Sequence, residues 1–407
     1  MRHYSIYHVT CSNPVGDRTE NSPSGLSLSP PLFAQQRTVR ISGTFLSISA
    51  FILSPSKCYH FLEGNTKKEI TISSQYSIVK THHQGRGITV SSIDTSTQTD
   101  TEGRTLSTRF HQGSLVSNGY SLSTAPHRSG WLEPTDPSLP MKKLREQYQA
   151  QGYLWLKGIL KRSEILDFRR RFFEAFSGTG LLTASSDPVE GIYSGGGEQK
   201  QEVHRIWMEA VRWSAYEELC KDPTIVKFYE AFLGGDVHLH KRKIIRFTKP
   251  GDPSCTGGHY DLIYLRAGTD RLCSSWIPIG DIPVEMGGLL YLEGSDALGR
   301  EMEAEFTRKN ADLSSEERIS AYNKNMKEGG WISADLPALA ELFNGRWLIA
   351  DYEAGDMVVH SPYIIHASTV NADHRGHMRL STDIRYQLSS DEIDPRWKDH
   401  FFVGDGL

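Results

Sequence analysis

Short β-rich segments dominate the chain after Asp236. Apolar, β-branched and aromatic residues are concentrated in runs that Gly or Pro interrupts. The runs cover residues 237–250, 260–267, 274–282, 287–295, 346–352, 356–362 and 379–387. Short strands with turn residues between them predict an antiparallel sandwich or jelly roll rather than alternating β/α units. This pattern restricts the fold more than any other feature of the sequence.

Helical segments precede and interrupt these strands. Residues 141–151 form an amphipathic pattern that ends at Gly152 and leads into a short strand. Residues 163–176 repeat apolar side chains at helical spacing, and Ser163 is predicted to be the N-cap. Residues 297–342 are charged and mostly helical in pattern. The predicted class is therefore α+β, a double-stranded β-helix (jelly roll) with N-terminal helices and a helical insertion.

The first third of the chain has a different composition. Residues 1–135 are rich in Ser, Thr, Gly and Pro, as in SSIDTSTQTDTEGRTLSTRF, and show no sustained helical or alternating pattern. Such segments bury too little apolar surface to offset the entropy of ordering. We predict a low-complexity, disordered extension over 1–135 and a folded domain over 136–407. The Ser-rich, basic extension faintly resembles an organelle-targeting segment.

Charge and cysteine content exclude several classes of function. The 407 residues carry a formal charge of −4, which gives no reason to expect a nucleic-acid partner. The five cysteines have no CxxC spacing, so neither a disulfide framework nor a structural zinc site is indicated. The apolar run at 44–53 is too short to span a bilayer. These features predict a cytoplasmic protein without a membrane span, and they leave its oligomeric state open.

The stretch GGHYDLIYLRAGTD, residues 257–270, places His259 two residues before Asp261. A His-x-Asp arises often by chance, and taken alone it is better explained as a hydrogen-bonded polar pair at a strand edge. The downstream segment AGDMVVHSPYIIHASTVN adds His366 after an apolar strand. Two histidines and a carboxylate on one face of an ion are typical of non-heme Fe(II) oxygenases. Because strand side chains alternate, we expect His259 and Asp261 to point to the same side.

A cationic group suited to a keto acid follows the second histidine. In RLSTDIRYQ, Arg379 and Ser381 share one strand face. The planar guanidinium of arginine binds a carboxylate through two parallel hydrogen bonds, as the far end of 2-oxoglutarate requires. The alternative for Arg379 is a structural salt bridge, for example with Asp383. Arg375 is a second candidate for the same role.

From about residue 141 to its end, the chain resembles the phytanoyl-CoA dioxygenase family of Fe(II)- and 2-oxoglutarate-dependent oxygenases. The resemblance rests on HYD at 259–261, on WIPIGDIPVEMGGLLYLEGS, and on the GDMVVHSPYIIHAS and RLSTDIRYQ runs. It implies that His259, Asp261 and His366 are the iron ligands. It also implies that Arg379, Trp276 and Ser368 contact the co-substrate, and we add Ser381 because it shares the strand face of Arg379. Two extra residues, in the HRGH loop, separate His366 from Arg379 compared with the commonest family spacing.

The resemblance implies a dioxygenase that uses Fe(II), 2-oxoglutarate and O2. It would oxidise, by default hydroxylate, a small organic substrate and release succinate and CO2. A lipid, a CoA thioester, an amino acid or a secondary metabolite would each fit. Two alternatives stay open: a zinc-dependent hydrolase on the same ligands, and a jelly roll that only binds. We expect residues 183–205 and 297–342 to be lids over the substrate.

Other polar clusters have simpler explanations. His238 and His240 alternate along a strand, but no third ligand is evident nearby, so we predict a structural role. His374 and His377 flank a loop. The basic stripe of Lys241, Arg242, Lys243 and Arg246 is typical of a solvated strand face, although one member could line the co-substrate pocket.

Overall fold

The computed structural model describes residues 59–63, 66–70, 98–100, 103–111, 113–327 and 330–403. Contacts divide the chain into two units, 1–91 and 92–407. In the first unit, strands β1 (Tyr59–Glu63) and β2 (Thr66–Ile70) form an antiparallel hairpin. Most of the predicted extension lies outside the described residues.

The second unit contains the remaining elements. The helices are α1 (Leu106–Arg109), α2 (Met141–Gln151), α3 (Arg162–Glu174), α4 (Lys200–Ala210), α5 (Ser214–Cys220), α6 (Pro223–Leu233), α7 (Leu262–Leu265), α8 (Ser295–Lys309), α9 (Ser315–Lys327) and α10 (Leu336–Leu342). The strands are β3 (Val116–Ser117), β4 (Tyr120–Ser121), β5 (Ser129–Trp131), β6 (Tyr153–Leu156), β7 (Val237–Leu239), β8 (Ile244–Thr248), β9 (Leu272–Pro278), β10 (Leu289–Leu292), β11 (Trp347–Ile349), β12 (Met357–His360), β13 (His366–Ser368) and β14 (Arg379–Leu388).

Two sheets form the jelly roll that the strand pattern predicts. The larger has the order β6-β12-β9-β14-β7, with β8 also paired to β14, and all its pairs are antiparallel. The smaller has the order β13-β10-β11-β5, in which only β11 and β5 run parallel. Neighbours in each sheet lie far apart in sequence, as expected for this topology. The predicted fold class is confirmed.

Strand alternation divides the apolar core into layers. On β10, Leu289 and Tyr291 point between the two sheets, where they meet Trp276 of β9. Leu290 and Leu292 point to the other face and pack against α10 of the insertion. The outer face of the larger sheet is covered by α3, α5 and α6. The candidate site lies at one end of the inner layer, between the two sheets, where polar residues take the place of apolar ones.

Part of the low-complexity segment belongs to this core. The side chains of Leu106, Phe110, Leu115, Leu122 and Trp131 are buried in the layer outside the smaller sheet. Strand β5 pairs with β11, and the Ser117 hydroxyl donates to the carbonyl of Ser368 at 2.9 Å. The ordered unit therefore includes about 30 residues upstream of the boundary expected from composition.

Local predictions have mixed outcomes. The helix over 141–151, its left-handed Gly152 cap (φ 83°) and the strand that follows are confirmed. Ser163 is not the N-cap of α3, because that helix begins at Arg162 after Lys161. The predicted strand over 260–267 is wrong, since α7 occupies Leu262–Leu265. Among the described residues, no helix combines the length and apolar content needed to cross a membrane.

Candidate metal and co-substrate site

His259, Asp261 and His366 converge at one end of the jelly roll. His259 and His366 are joined through their backbones, because each N–H donates to the carbonyl of the other, at 3.1 and 2.9 Å. The backbone conformation that brings Asp261 to the two histidines differs from the prediction. Its backbone is helical, with φ −66° and ψ −31°, and it precedes α7. The chain turns after His259, so a tight turn rather than strand alternation brings the carboxylate to the histidines.

The three side chains offer ligand atoms on a common centre. One ligand atom from each residue lies within 4.8 Å of the others. The Nε2 atoms of His259 and His366 are 3.8 and 3.6 Å from Oδ1 of Asp261. Each Nδ1 faces a backbone carbonyl, of Gly257 at 2.9 Å and of Ile364 at 3.0 Å. Such a bond fixes the tautomer and ring orientation that a metal-binding Nε2 needs.

Burial keeps both imidazoles in the neutral form that binds metal. It lowers the pKa of His259, which Asp261 only partly offsets, and it lowers the pKa of His366 further because His259 and His360 lie nearby. A metal cannot compete well for a protonated imidazole, so neutral rings favour ion binding. This donor set of two histidines and one aspartate fits Fe(II) with open positions opposite.

The second oxygen of Asp261 is held from behind. Oδ2 accepts hydrogen bonds from the Ser274 hydroxyl and from Arg385 at 3.0 Å, and His360 Nε2 lies 3.4 Å away. Burial alone would raise the pKa of Asp261, but Arg385 and the histidines lower it well below its usual value. Asp261 is therefore ionised, with Oδ1 alone turned toward His259 and His366.

Sequence reasoning missed these three supporting residues. Arg385 lies on the same face of β14 as Arg379 and Ser381, so strand periodicity could have identified it. Ser274 faces Arg385 across the β9–β14 pair. His360 gave no local signal, because its contact with Asp261 depends on the β12–β9 pairing.

Arg379 lies at the floor of the same cavity. It is buried, and its guanidinium donates to the carbonyl of Gly287. Burial, and secondarily Arg246, lowers the pKa of Arg379 to about 10, so the group remains cationic at neutral pH. Within the described part of the chain, neither Arg379 Nε nor Ser381 Oγ has a hydrogen-bond partner. Two buried, unsatisfied polar groups on one strand face fit the distal carboxylate of 2-oxoglutarate.

Trp276 and Ser368 line this cavity together with the histidines, Asp261 and Arg379. The Trp276 ring packs on Tyr352 with centroids 4.7 Å apart, and Ser368 Oγ accepts from the Thr256 amide at 2.9 Å. Six of the seven residues selected from the sequence therefore line one cavity, and the seventh, Ser381, lies two residues after Arg379 on β14. Their individual roles stay predictions.

The geometry opposes both alternatives, which are a salt bridge between Arg379 and Asp383, and Arg375 as the arginine that binds the co-substrate. Asp383 forms its ion pair with Arg246. Arg375 pairs with Asp373 at 3.2 Å, and 58% of its side chain is exposed. A co-substrate carboxylate in the cavity could not reach an arginine in that position. The structure therefore favours Arg379.

The remaining histidine candidates do not join a metal group. His240 is buried on the larger sheet and its Nε2 lies 2.8 Å from Gln387 Oε1. His377 bonds Asp373 through Nδ1 at 2.8 Å. In the described ranges, the group with three suitable ligands is His259, Asp261 and His366.

His240 should make stability pH-dependent. Burial lowers its pKa to about 4, although the bond to Gln387 opposes this. As the pH falls below about 6.5, the unfolded chain takes up a proton that the folded chain refuses until about pH 4. We expect this residue alone to remove about 3 kcal/mol of the unfolding free energy between pH 7 and 4. Urea unfolding at several pH values should show a shallower acid loss in His240→Phe, and an unchanged loss in the surface variant His204→Phe.

The helical insertion is hydrogen-bonded directly to the segment that carries His259. Ser333 and Ile332 exchange backbone hydrogen bonds with Gly258, the residue before His259. A side chain at Gly258 would place Cβ 2.6 Å from Leu339 of α10, which explains the glycine. The insertion thus supports His259. In contrast, the cavity lining includes no residue of 183–205 or 297–342, and the lid roles of these segments stay predictions.

The family model described as "Phytanoyl-CoA dioxygenase (PhyH)" matches residues 148–376, more than half of the chain. The chain belongs to the phytanoyl-CoA dioxygenase family. The match contains His259, Asp261 and His366 and ends shortly before Arg379. Membership makes the chain a non-heme Fe(II)- and 2-oxoglutarate-dependent oxygenase that consumes O2. It supports neither the hydrolase nor the non-catalytic alternative.

Relatives within this family include two bacterial enzymes. The chain is 24% identical over 250 residues to the 1-deoxypentalenic acid 11-beta-hydroxylase of Streptomyces exfoliatus, and 23% identical over 257 residues to that of Streptomyces arenae. Both alignments cover 60% of this chain and 80% of the relative. Among solved structures, the carbocyclase SnoK from nogalamycin biosynthesis is 18% identical, with a TM-score of 0.42 and coverage of 68% and 92%. EctD from S. alaskensis with bound Fe is 15% identical, with a TM-score of 0.40 and coverage of 67% and 83%.

Proposed function

We propose that this dioxygenase hydroxylates a small secondary metabolite, with His259, Asp261 and His366 as the ligands of Fe(II). The observation that carries the proposal is the convergence of their ligand atoms within 4.8 Å. Iron bound there would, with 2-oxoglutarate and O2, supply the oxidant that removes hydrogen from a C–H bond. The two carbonyl-bonded imidazoles would hold the ion from one face, and Ser274 and Arg385 would restrict Asp261 to one coordinating oxygen.

In this proposal Arg379 and Ser381 bind the distal carboxylate of 2-oxoglutarate. The buried Trp276 and Ser368 confine the co-substrate and exclude water from it. Substrate would approach the opposite, open side of the ion. The relatives named above act on 1-deoxypentalenic acid, which supports a secondary metabolite as the substrate class. A cytoplasmic location stays a prediction.

Anaerobic loading with Fe(II) and 2-oxoglutarate tests this function. The keto-acid chelate should give a weak visible charge-transfer band, and admission of O2 should yield succinate. Metabolite extracts can then be screened for an O2-dependent gain of one oxygen atom in a single compound. A wild-type protein that binds Fe(II) but gives neither the band nor succinate would contradict the proposal.

Replacing Arg379 should mainly weaken co-substrate binding. Arg379→Met removes the charged fork but keeps an unbranched side chain of similar reach, so we expect the KM for 2-oxoglutarate to rise about 100-fold, the equivalent of two charge-assisted hydrogen bonds. The affinity for Fe(II) should be retained. Arg375→Met is the matched control, because that side chain is largely exposed, and its KM should stay near wild type. A larger effect at Arg375 would reverse the assignment.

A further inference from the structure

Arg246 is a third cation in the cavity, and the roles above leave it unused. It lies on β8 opposite Ser381 of β14 and lines the cavity with His259, Asp261 and Trp276. Its Nε donates to Asp383. Among the described residues, no group accepts a hydrogen bond from its two terminal nitrogens. A guanidinium held through Nε in this way presents its other donors to a ligand.

Arg246 is more accessible than Arg379, and for this reason we assign it to the substrate rather than to 2-oxoglutarate. Its side chain is 38% accessible, whereas Arg379 as a whole is only 6% accessible. Burial lowers the pKa of Arg246, but Asp383 and, more weakly, Asp261 raise it by more, so the group is a cation. Arg246 is therefore a partly accessible cation in the cavity that His259, Asp261 and His366 also line.

The net charge of the loaded cavity also favours binding of one further anion. Arg246, Arg379 and Arg385 face two carboxylates, those of Asp261 and Asp383, and imidazoles that bind a metal are neutral. The charges of bound Fe(II) and of the 2-oxoglutarate dianion would cancel each other. The loaded cavity therefore keeps a net charge of +1. A singly charged anion bound beside Arg246 would neutralise this charge.

We propose that the primary substrate carries a carboxylate and that Arg246, positioned by Asp383, binds it. This inference rests on the proposed function, since the charge count assumes a loaded site. A bidentate bond from the terminal nitrogens would fix one end of the substrate. The rest of the molecule would then lie over the open face of the ion, and the distance from its carboxylate would select the C–H bond that reacts.

The test uses binding to the anaerobic Fe(II)·2-oxoglutarate enzyme, followed by the change in its charge-transfer band. The probes are benzoate, cyclohexanecarboxylate and decanoate, each paired with its methyl ester. In the wild type, at least one acid should shift the band saturably, and its ester should bind at least about 10-fold more weakly.

Variants distinguish a direct contact between Arg246 and the acid from an effect of net charge or of misfolding. Arg246→Met should weaken binding of the acid by about 10-fold or more and leave the ester unchanged, whereas Arg246→Lys should retain part of the preference. The double variant Arg246→Met/Asp383→Asn removes one charge of each sign, so it avoids an unpaired aspartate and preserves the net charge. It should lose the acid preference as well. Arg271→Met, at an exposed arginine outside the cavity lining that pairs with Asp391, is the matched control and should bind as the wild type does.

Equal binding of acid and ester, no response to any acid, or full acid affinity in both Met variants would overturn the role of Arg246. Each of these results is obtained with a normal charge-transfer band, so the proposed function would survive it. Loss of the band in the wild type itself would instead remove the proposed function, and this inference with it.

Discussion

His366→Ala is expected to abolish 2-oxoglutarate turnover while the protein remains folded. The variant removes one of three donors to the ion, and loss of a mere outer partner already costs up to about 100-fold in metal affinity. We therefore expect turnover to fall by more than about 100-fold. Fe(II) affinity, measured by anaerobic titration, should fall with it. His259→Ala and Asp261→Ala should abolish turnover for the same reason.

The three variants should differ in stability. Removing Asp261 leaves Arg385 buried without its anion, which typically costs 3–5 kcal/mol, so Asp261→Ala should have a clearly lower Tm than His366→Ala. His238→Ala is the control, because His238 lies on β7 and is not part of the metal-binding group. Full turnover in any one of the three ligand variants would refute the site assignment.

The site was predictable because its residue types are rare in combination. Histidine, aspartate and arginine in this order already restrict the chemistry, even though the local structure at Asp261 was predicted wrongly. The prediction of a shared face succeeded for a different physical reason: a helical turn and a cross-strand backbone pair with His366 bring the groups together. Spacing alone does not distinguish a strand from a turn over three residues.

The supporting residues were not predictable in the same way. His360 and Ser274 act on Asp261 only because β12, β9 and β14 are adjacent, and that adjacency is set by contacts between distant segments. Arg246 was considered only as one member of a basic stripe. Its neighbours in the stripe have other partners, such as Lys243 with Glu217, and only the structure distinguishes them.

Composition also misplaced the beginning of the ordered unit. Averaged over 1–135, apolar residues are too sparse to indicate a core. Between 106 and 131, however, five apolar side chains are buried in the layer formed by the outer face of the smaller sheet and α10. They have no helical or strand period, because short turns and strands of two or three residues carry them. A segment without its own periodicity can still be ordered by the surface that it covers.

Deletion of residues 1–135 is therefore expected to destroy the fold, whereas deletion of 1–91 should leave turnover and Tm near wild type. The longer deletion removes six buried apolar side chains, five outside the smaller sheet and Leu132 between the sheets, each worth about 1.5–3 kcal/mol. It also removes β5 from the parallel edge of β11, and the ion pair of Arg109 with Glu285 at 3.0 Å. The combined loss is comparable to the 5–15 kcal/mol that stabilises a typical domain.

The two deletions should be compared by circular dichroism melting and by succinate formation. We expect the 136–407 protein to aggregate or to show no cooperative transition, since the apolar face of the smaller sheet would be exposed. A milder variant, Trp131→Ala, should lower stability by about 3–5 kcal/mol in the full chain and identifies the cause as lost packing. Normal melting and turnover in the 136–407 protein would mean that the segment covers the sheet without stabilising it. The functional domain would then begin at residue 136, as the composition predicts.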